Sequence, residues 1–168
     1  KVAAYQLNLF MDMAWNINTV TPTTVQQHLQ NWLSAQFGEQ VGERLIKPMT
    51  NFYKLSAIRR PEFMGWNEAP AQGANALFTT ENKVANTEFS AEEFGNELER
   101  YLNDYDSLSL SVLKLEDVIP DNLKGSYFAM VEYPIMSSAA MATKILQAQE
   151  ARLIGRVVSF HNDPDALE

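Results

Sequence analysis

Residues 90–115 read SAEEFGNELERYLNDYDSLSLSVLKL, and their apolar side chains recur every three or four positions. The apolar set is Phe94, Leu98, Tyr101, Leu102, Tyr105, Leu108, Val112 and Leu115. This period predicts one amphipathic α-helix with its apolar stripe towards a core. Ser90 and Glu93 have the spacing of a capping box, so the helix is expected to begin there. Four acidic side chains fall off the stripe and are expected to face water: Glu92, Glu93, Glu97 and Glu99.

Helical periods also occur on the N-terminal side of this segment. Residues 1–13 predict a helix with a broad, largely buried apolar face. Thr21 and Pro22 supply an N-cap and a first-turn proline for a second helix, which Gly38 ends. A third helix is expected to follow as far as Arg60, with a kink at Pro48.

A last helix is expected over residues 127–149, after a break at residues 119–121, with a kink at Pro134. Residues 66–89 show no sustained period and predict one long loop. No alternating strand pattern, hairpin dipeptide or internal repeat occurs. The sequence therefore predicts an all-α fold, a helical bundle of about five helices with Pro-kinked long helices and one long loop.

Composition excludes several classes of protein. Of the 168 residues, 46% are hydrophobic and 20% are charged, which indicates a globular chain with a core. The absence of cysteine excludes disulfides, thiol catalysis and Cys-ligated metals. A net charge of −8 argues against a nucleic-acid partner. The longest stretch without charged residues, 13–38, is rich in polar side chains and contains Pro22, so no membrane span is expected.

The charge is distributed in two blocks. Residues 81–106 hold eight acidic and two basic side chains, a net charge of −6. Residues 43–60 hold five basic and one acidic side chain, a net charge of +4. We expect the two blocks to lie opposite each other.

No motif for catalysis or cofactor binding stands out. The acidic helix offers carboxylates for acid/base chemistry, but its phase favours a hydrated face. Asp104 and Asp106 lack the glycine of a calcium loop, and neither His28 nor His161 has a partner at a metal-binding spacing. Glycine-rich phosphate loops and nucleophile elbows are absent, so no cofactor and no metal are predicted. Trp66, at the edge of the long loop, is the candidate for substrate binding.

Several short motifs resemble glycoside hydrolase family 115. In chain order from about residue 9 to about residue 149 they are Met13-Ala14-Trp15-Asn16, Phe52-Tyr53-Lys54-Leu55, Arg59-Arg60-Pro61-Glu62-Phe63-Met64-Gly65-Trp66, Tyr133-Pro134-Ile135 and Ala139-Ala140-Met141. Members of this family are α-glucuronidases that remove glucuronic acid, or its 4-O-methyl form, from xylan side chains. Their longer chains combine an N-terminal domain, a TIM-like barrel, a helical bundle and a C-terminal β-sandwich.

The resemblance implies a domain division and a set of partners. Residues 1–16 resemble the last barrel helix and 17–162 the bundle. Asp163 and Pro164 have the pattern of an N-cap and a first-turn proline, so residues 163–168 are expected to be the truncated start of a further helix. The family's catalytic carboxylates lie in the barrel, so this part is expected to be non-catalytic. Its partners would be the catalytic barrel and other domains of a parent enzyme acting on xylan-type polysaccharide, with a homodimer also possible. A periplasmic or extracellular location follows from the resemblance alone.

Arg59, Arg60 and Glu62 are predicted to be structural or interface residues. Cations suit the C-terminus of a helix, and the acidic block supplies partners. Two other functions stay open. One is a stand-alone helical ligand- or protein-binding module that uses the long loop, and the other is an enzyme that uses the acidic helix.

Overall fold

A computed structural model describes residues 4–58, 94–144 and 146–147. These parts of the chain form five helices and contain no strand, which confirms the all-α bundle. The helices are α1 (Ala4–Trp15), α2 (Val25–Phe37), α3 (Glu39–Ile58), α4 (Glu97–Glu116) and α5, which begins at Lys124 and continues to residue 144. None of them has the length and apolar content that a membrane crossing requires.

Helices α2 and α3 form a tight antiparallel hairpin in which Gly38 alone separates them. Gly38 has a φ of +85°, a conformation that glycine adopts at little cost, and it ends α2 as expected. The α-helical pattern of α2 starts at Val25, later than Thr21. The Thr21 carbonyl nevertheless accepts bonds from the N–H groups of Thr24 and Val25, and Thr24 Oγ1 accepts one from the Thr21 N–H. Thr21 therefore acts as the expected start of the first turn.

Helix α4 begins later than the capping-box spacing predicts. Phe94, Gly95 and Asn96 have φ values of 52°, 67° and 53°. A right-handed helix cannot pass through three left-handed residues, so α4 begins at Glu97. The prediction that Phe94 packs inward is wrong, because its side chain is 72% exposed. Ser90 and Glu93 lie outside the described residues.

The rest of the α4 stripe packs as predicted. Its buried members are Leu98, Tyr101, Tyr105, Leu108 and Val112. They join a core built with α2, α3 and α5 whose largest fully buried side chains include Tyr105, Tyr127, Phe52 and Leu33. The acidic side chains Glu99, Asp104 and Asp106 are exposed, whereas Glu97 is half-buried. The separation of apolar and acidic faces is thus confirmed in the described part of this helix.

Helix α5 contains a π turn. It opens with an α-helical segment, Lys124–Tyr127, passes through the π segment Phe128–Glu132, and resumes as α-helix over residues 133–144. Pro134 has no N–H to donate to the carbonyl of Met130, so the regular ladder cannot run through this point. The irregularity expected at Pro134 is present as a widened turn just before it. Pro48 lies inside α3, where a proline kink was expected.

Helix α1 is held less firmly than its sequence suggests. Tyr5 is its one buried side chain, and Leu9 is partly buried against the core. Several large apolar side chains on α1 are exposed: Leu7, Phe10, Met11, Met13 and Trp15. The expectation of a largely buried helix is wrong for the described chain, because most of the large apolar side chains of α1 are exposed.

Candidate functional site

The site residues singled out in the sequence lie outside the described residues. They are Arg59, Arg60, Glu62 and Trp66, and the same holds for the long loop, His161 and the helix start at Asp163. Their predicted roles stay predictions. The described residues offer three other features: a groove between α3 and α4, a polar anchor beneath α1, and an exposed aromatic pair on α5.

The groove runs between α3 and α4 and has a volume of about 620 Å³. Its α3 wall carries Lys47, Asn51 and Lys54, which recur at helical spacing on one face. The α4 wall carries Asp104 and the hydroxyls of Ser107 and Ser111, and the remaining lining is mostly apolar, with Pro48, Leu55, Ile58 and Leu108. Lys47 and Lys54 of the basic block and Asp104 of the acidic block therefore line the same groove.

The groove can hold a small polar ligand, but its chemistry does not suit glycosidic hydrolysis. Among its described lining residues, Asp104 alone carries a carboxylate. Acid/base cleavage of a glycosidic bond generally requires two carboxyl groups on either side of the bond. The Ser111 hydroxyl is already used, since it donates to the Leu108 carbonyl at 2.7 Å. The groove therefore presents two ammonium groups and a few polar groups for binding.

A chain of polar contacts anchors α1 on α2. Asp12 Oδ2 lies 2.8 Å from His28 Nε2, and His28 Nδ1 lies 3.3 Å from the Tyr5 hydroxyl. The Tyr5 hydroxyl is also 3.3 Å from the carbonyl of Val25, to which it can donate. The Tyr5 ring packs against Trp32, with ring centroids 5.5 Å apart. Tyr5 thus joins the first helix to the core by both ring and hydroxyl contacts.

The hydrogen positions in this anchor follow from its partners. An ionised carboxylate only accepts hydrogen bonds, so His28 Nε2 must carry the hydrogen that faces Asp12. Burial raises the pKa of Tyr5. Burial also raises the pKa of Tyr53, and the interaction with Tyr5 raises it further. Both hydroxyls therefore stay protonated at neutral pH, and the Tyr5 hydroxyl has one hydrogen to donate, either to the Val25 carbonyl or to His28 Nδ1.

Sequence reasoning missed this anchor because its members are distant in the chain. Asp12 and His28 are sixteen residues apart and lie on different helices. A search for metal or catalytic partners at helical spacing cannot pair them. The described residues contain no group of three or more His, Asp or Glu side chains close enough to hold a metal ion.

The third feature is a pair of exposed rings on the π turn of α5. Phe128 is 52% and Tyr133 is 57% exposed, and their ring centroids lie 5.9 Å apart. Glu132 lies beside them, half-buried. Burial raises the pKa of Glu132, and the negative charge of Glu116 raises it further. The neighbouring Tyr127 is fully buried and donates to the Val112 carbonyl at 2.6 Å, which fixes this turn against α4.

Comparison with known proteins gives one match. The model of glycosyl hydrolase family 115 matches residues 1–63, which cover α1, α2 and α3. Comparisons with curated proteins and with solved structures gave no match. The motifs at residues 13–16 and 52–55 fall inside the matched part, whereas those at 133–135 and 139–141 fall beyond it. The resemblance drawn from the sequence is therefore confirmed for residues 1–63, the part that matches the model of glycosyl hydrolase family 115.

Proposed function

We propose that this chain is a non-catalytic helical domain of a glycoside hydrolase that resembles the xylan α-glucuronidases, and that α1 docks it against the catalytic domain. The observation that carries the proposal is the exposed apolar face of α1 within the matched residues. On the side opposite Tyr5, Leu7 is 60%, Phe10 is 66% and Met11 is 58% exposed. Large apolar groups displayed together on one helix favour a protein contact.

The arrangement of α1 supports a docking role. Tyr5 and the pair Asp12–His28 fix one side of the helix to α2, which leaves the opposite side available. A helix held in this way is positioned before its partner arrives, so less conformational entropy is lost on docking. In this proposal the parent chain releases glucuronic acid from xylan, and the helical domain supports the catalytic domain. The proposal includes a periplasmic or extracellular location of the parent enzyme, which rests on the resemblance alone.

Two assays test the proposal. The purified chain is first incubated with glucuronoxylan, and released glucuronic acid is measured; none is expected above the buffer level. The separately produced catalytic domain of the parent is then titrated with the chain in a calorimeter. Phe10→Asp is expected to abolish binding, because it places a charge in the apolar contact. Asn103→Asp, which adds the same charge at an exposed position of α4, is expected to bind normally.

Two outcomes would contradict the proposal. Release of glucuronic acid by the chain alone, lost on mutation of Glu97 or Glu99, would identify it as an enzyme that uses the acidic helix. Failure of the unaltered chain to bind the catalytic domain would instead favour the stand-alone binding module. The groove between α3 and α4 supports that second candidate, because Lys47 and Lys54 line a cavity large enough for a small anion.

A further inference from the structure

The exposed aromatic pair on α5 is a local arrangement that the proposed docking of α1 does not use. Phe128 and Tyr133 are both more than half exposed, and their rings make contact at a tilt of 50°. Scattered apolar residues on a surface are ordinary, but two exposed aromatic rings in contact form a rigid apolar surface with two faces set at an angle to each other. Such surfaces bind the faces of other rings.

The π turn is the reason that these two rings meet. In a regular α-helix of 3.6 residues per turn, positions five apart point in directions that differ by roughly 140°. A π turn holds about one more residue per turn, so it brings positions five apart close to the same direction. Phe128 and Tyr133 stand at this separation across the π segment. Pro134, which excludes the regular ladder, therefore produces the aromatic pair.

The charges around the pair restrict what it can bind. Glu132 lies between the two rings in sequence, and Glu116 is close enough to raise the pKa of the Glu132 carboxyl. The whole chain carries a net charge of −8. Lys124, one helical turn before Phe128, is paired with Asp121 at 2.8 Å, so its charge is already compensated. The carboxylates therefore disfavour an anionic ligand, whereas a neutral ligand with hydroxyl groups finds carboxylate acceptors beside an apolar surface.

The pair is also small for a protein partner. Stable protein interfaces bury on the order of 800 Å² on each side. Two side chains beside charged carboxylates supply only a fraction of that area. A ring with one apolar face and polar edges matches the surface better than a second protein does.

We propose that Phe128 and Tyr133 form a stacking platform for the neutral sugar rings of a polysaccharide main chain. The choice of xylan as that polysaccharide rests on the proposed function, whereas the preference for a neutral sugar rests on the charges. The platform holds the unsubstituted xylose main chain and does not contact the glucuronic acid side groups. It contributes binding and takes no part in bond cleavage.

Calorimetric titration of the whole chain with a short, linear, β-linked xylo-oligosaccharide tests the platform. Phe128→Ala and Tyr133→Ala are each expected to weaken binding by about tenfold or more, as loss of an aromatic stacking partner does. Tyr133→Phe keeps the ring and is expected to stay within about twofold of the original affinity. Phe94→Ala removes an exposed ring from the turn before α4, away from the pair, and is expected to change nothing.

Pro134→Ala tests the role of the π turn. An alanine supplies the missing N–H, so the helix can become regular and separate the two rings while both remain. Binding of the oligosaccharide is then expected to weaken although neither ring is lost. Circular dichroism and thermal unfolding of each variant verify that the chain is folded.

Four results would overturn the platform. They are failure of the original chain to bind the oligosaccharide, unchanged binding in both alanine variants, equal competition by free glucuronic acid, and a change of oligomeric mass in Tyr133→Ala. The last would identify the rings as a protein contact. A chain that binds the oligosaccharide but also releases glucuronic acid contradicts the proposed function and leaves the platform intact. A chain that neither binds the oligosaccharide nor releases glucuronic acid contradicts the platform and leaves the proposed function intact.

Discussion

Gly42 lies where α3 passes closest to α2. A Cβ atom at this position would lie 2.6 Å from the backbone nitrogen and the hydroxyl of Ser34, far inside contact distance. Gly42→Ala is therefore expected to push the two helices apart and to lower the free energy of unfolding by about 1–3 kcal/mol. Urea denaturation measures this change.

Gly125 provides the matched control, because a Cβ there meets nothing within 4 Å. It lies in the first turn of α5, where alanine favours the helix over glycine. Gly125→Ala is expected to raise stability by up to about 1 kcal/mol. Equal effects of the two substitutions would contradict the close approach at Gly42.

Two phenylalanines, one buried and one exposed, are expected to differ in their contribution to stability. Phe52 is 1% exposed in the core, whereas Phe94 is 72% exposed in the left-handed turn before α4. Phe52→Ala is expected to cost about 3–5 kcal/mol, the usual cost of removing a buried aromatic side chain. Phe94→Ala is expected to stay within about 0.5 kcal/mol, as for an exposed residue. Thermal unfolding measures the stability of both variants. A large loss of stability in Phe94→Ala would show that the Phe94 side chain packs in the core.

The position of Phe94 shows what a periodic pattern leaves out. Tyr101 and Tyr105 follow the period and are buried, so the stripe predicts them correctly. Phe94 follows the same period, but Gly95 and Asn96 adopt left-handed conformations that the pattern does not register. Glycine and asparagine are the residues that tolerate this conformation best. The adjacent pair Gly95 and Asn96 is therefore the sequence signal that indicates a later start of α4.

At the scale of helices, α1 is expected to open independently of the rest. Tyr5 is its one buried side chain, and its ring contacts Trp32 and Tyr53. Tyr5→Ala removes these contacts, so the amides of α1 are expected to exchange with solvent as fast as those of an unstructured peptide. The amides of α3 are expected to keep their protection. Gln6→Ala, at an exposed position next to Tyr5, serves as the control and is expected to leave both helices protected.

The π turn of α5 gives a pH-dependent stability. The pKa of Glu132 is raised, first by burial and then by the charge of Glu116. The ionised form is therefore less favourable in the folded chain than in the unfolded chain, which costs stability at neutral pH. Glu132→Gln is expected to stabilise the chain at pH 7, and the gain is expected to vanish below about pH 4, where both states are protonated.

Urea titrations across this pH range measure the effect. Asp106→Asn, at an exposed position in the middle of α4, is the control and is expected to leave stability unchanged. A Glu132→Gln variant that loses stability at neutral pH would show that the carboxylate makes a favourable contact.

Helices are easier to predict from the sequence than the sites between them. Gly38 and the spacing of Leu29, Leu33 and Phe37 specify α2 through local rules, and the structure follows them. The contact between Asp12 and His28 and the groove beside Lys47 depend on how helices pack. A pattern within one helix does not contain that information. The aromatic pair lies between these cases, because Pro134 indicated an irregular turn but not which rings it would bring together.

For the whole molecule, the exposed face of α1 predicts self-association of the isolated chain. Phe10, Met11 and Leu7 are each more than half exposed and lie on the same helix. Their burial in a second copy removes apolar surface from water, so the apparent mass is expected to rise with concentration. Phe10→Asp is expected to keep the chain monomeric, whereas Asn103→Asp is expected to behave like the original. Sedimentation velocity measures the mass, and a concentration-independent monomer would contradict the prediction.

The hairpin of α2 and α3 has a consequence for the order of folding. Gly38 alone separates the two helices, so their mutual contacts join residues that are close in the chain. Such contacts form quickly, because little loop entropy is lost before they are made. Helix α4 reaches α3 only after a much longer stretch of chain has been closed. During synthesis, which proceeds from the N-terminus, the hairpin is complete before α4 exists, and it becomes the surface on which the later helices assemble.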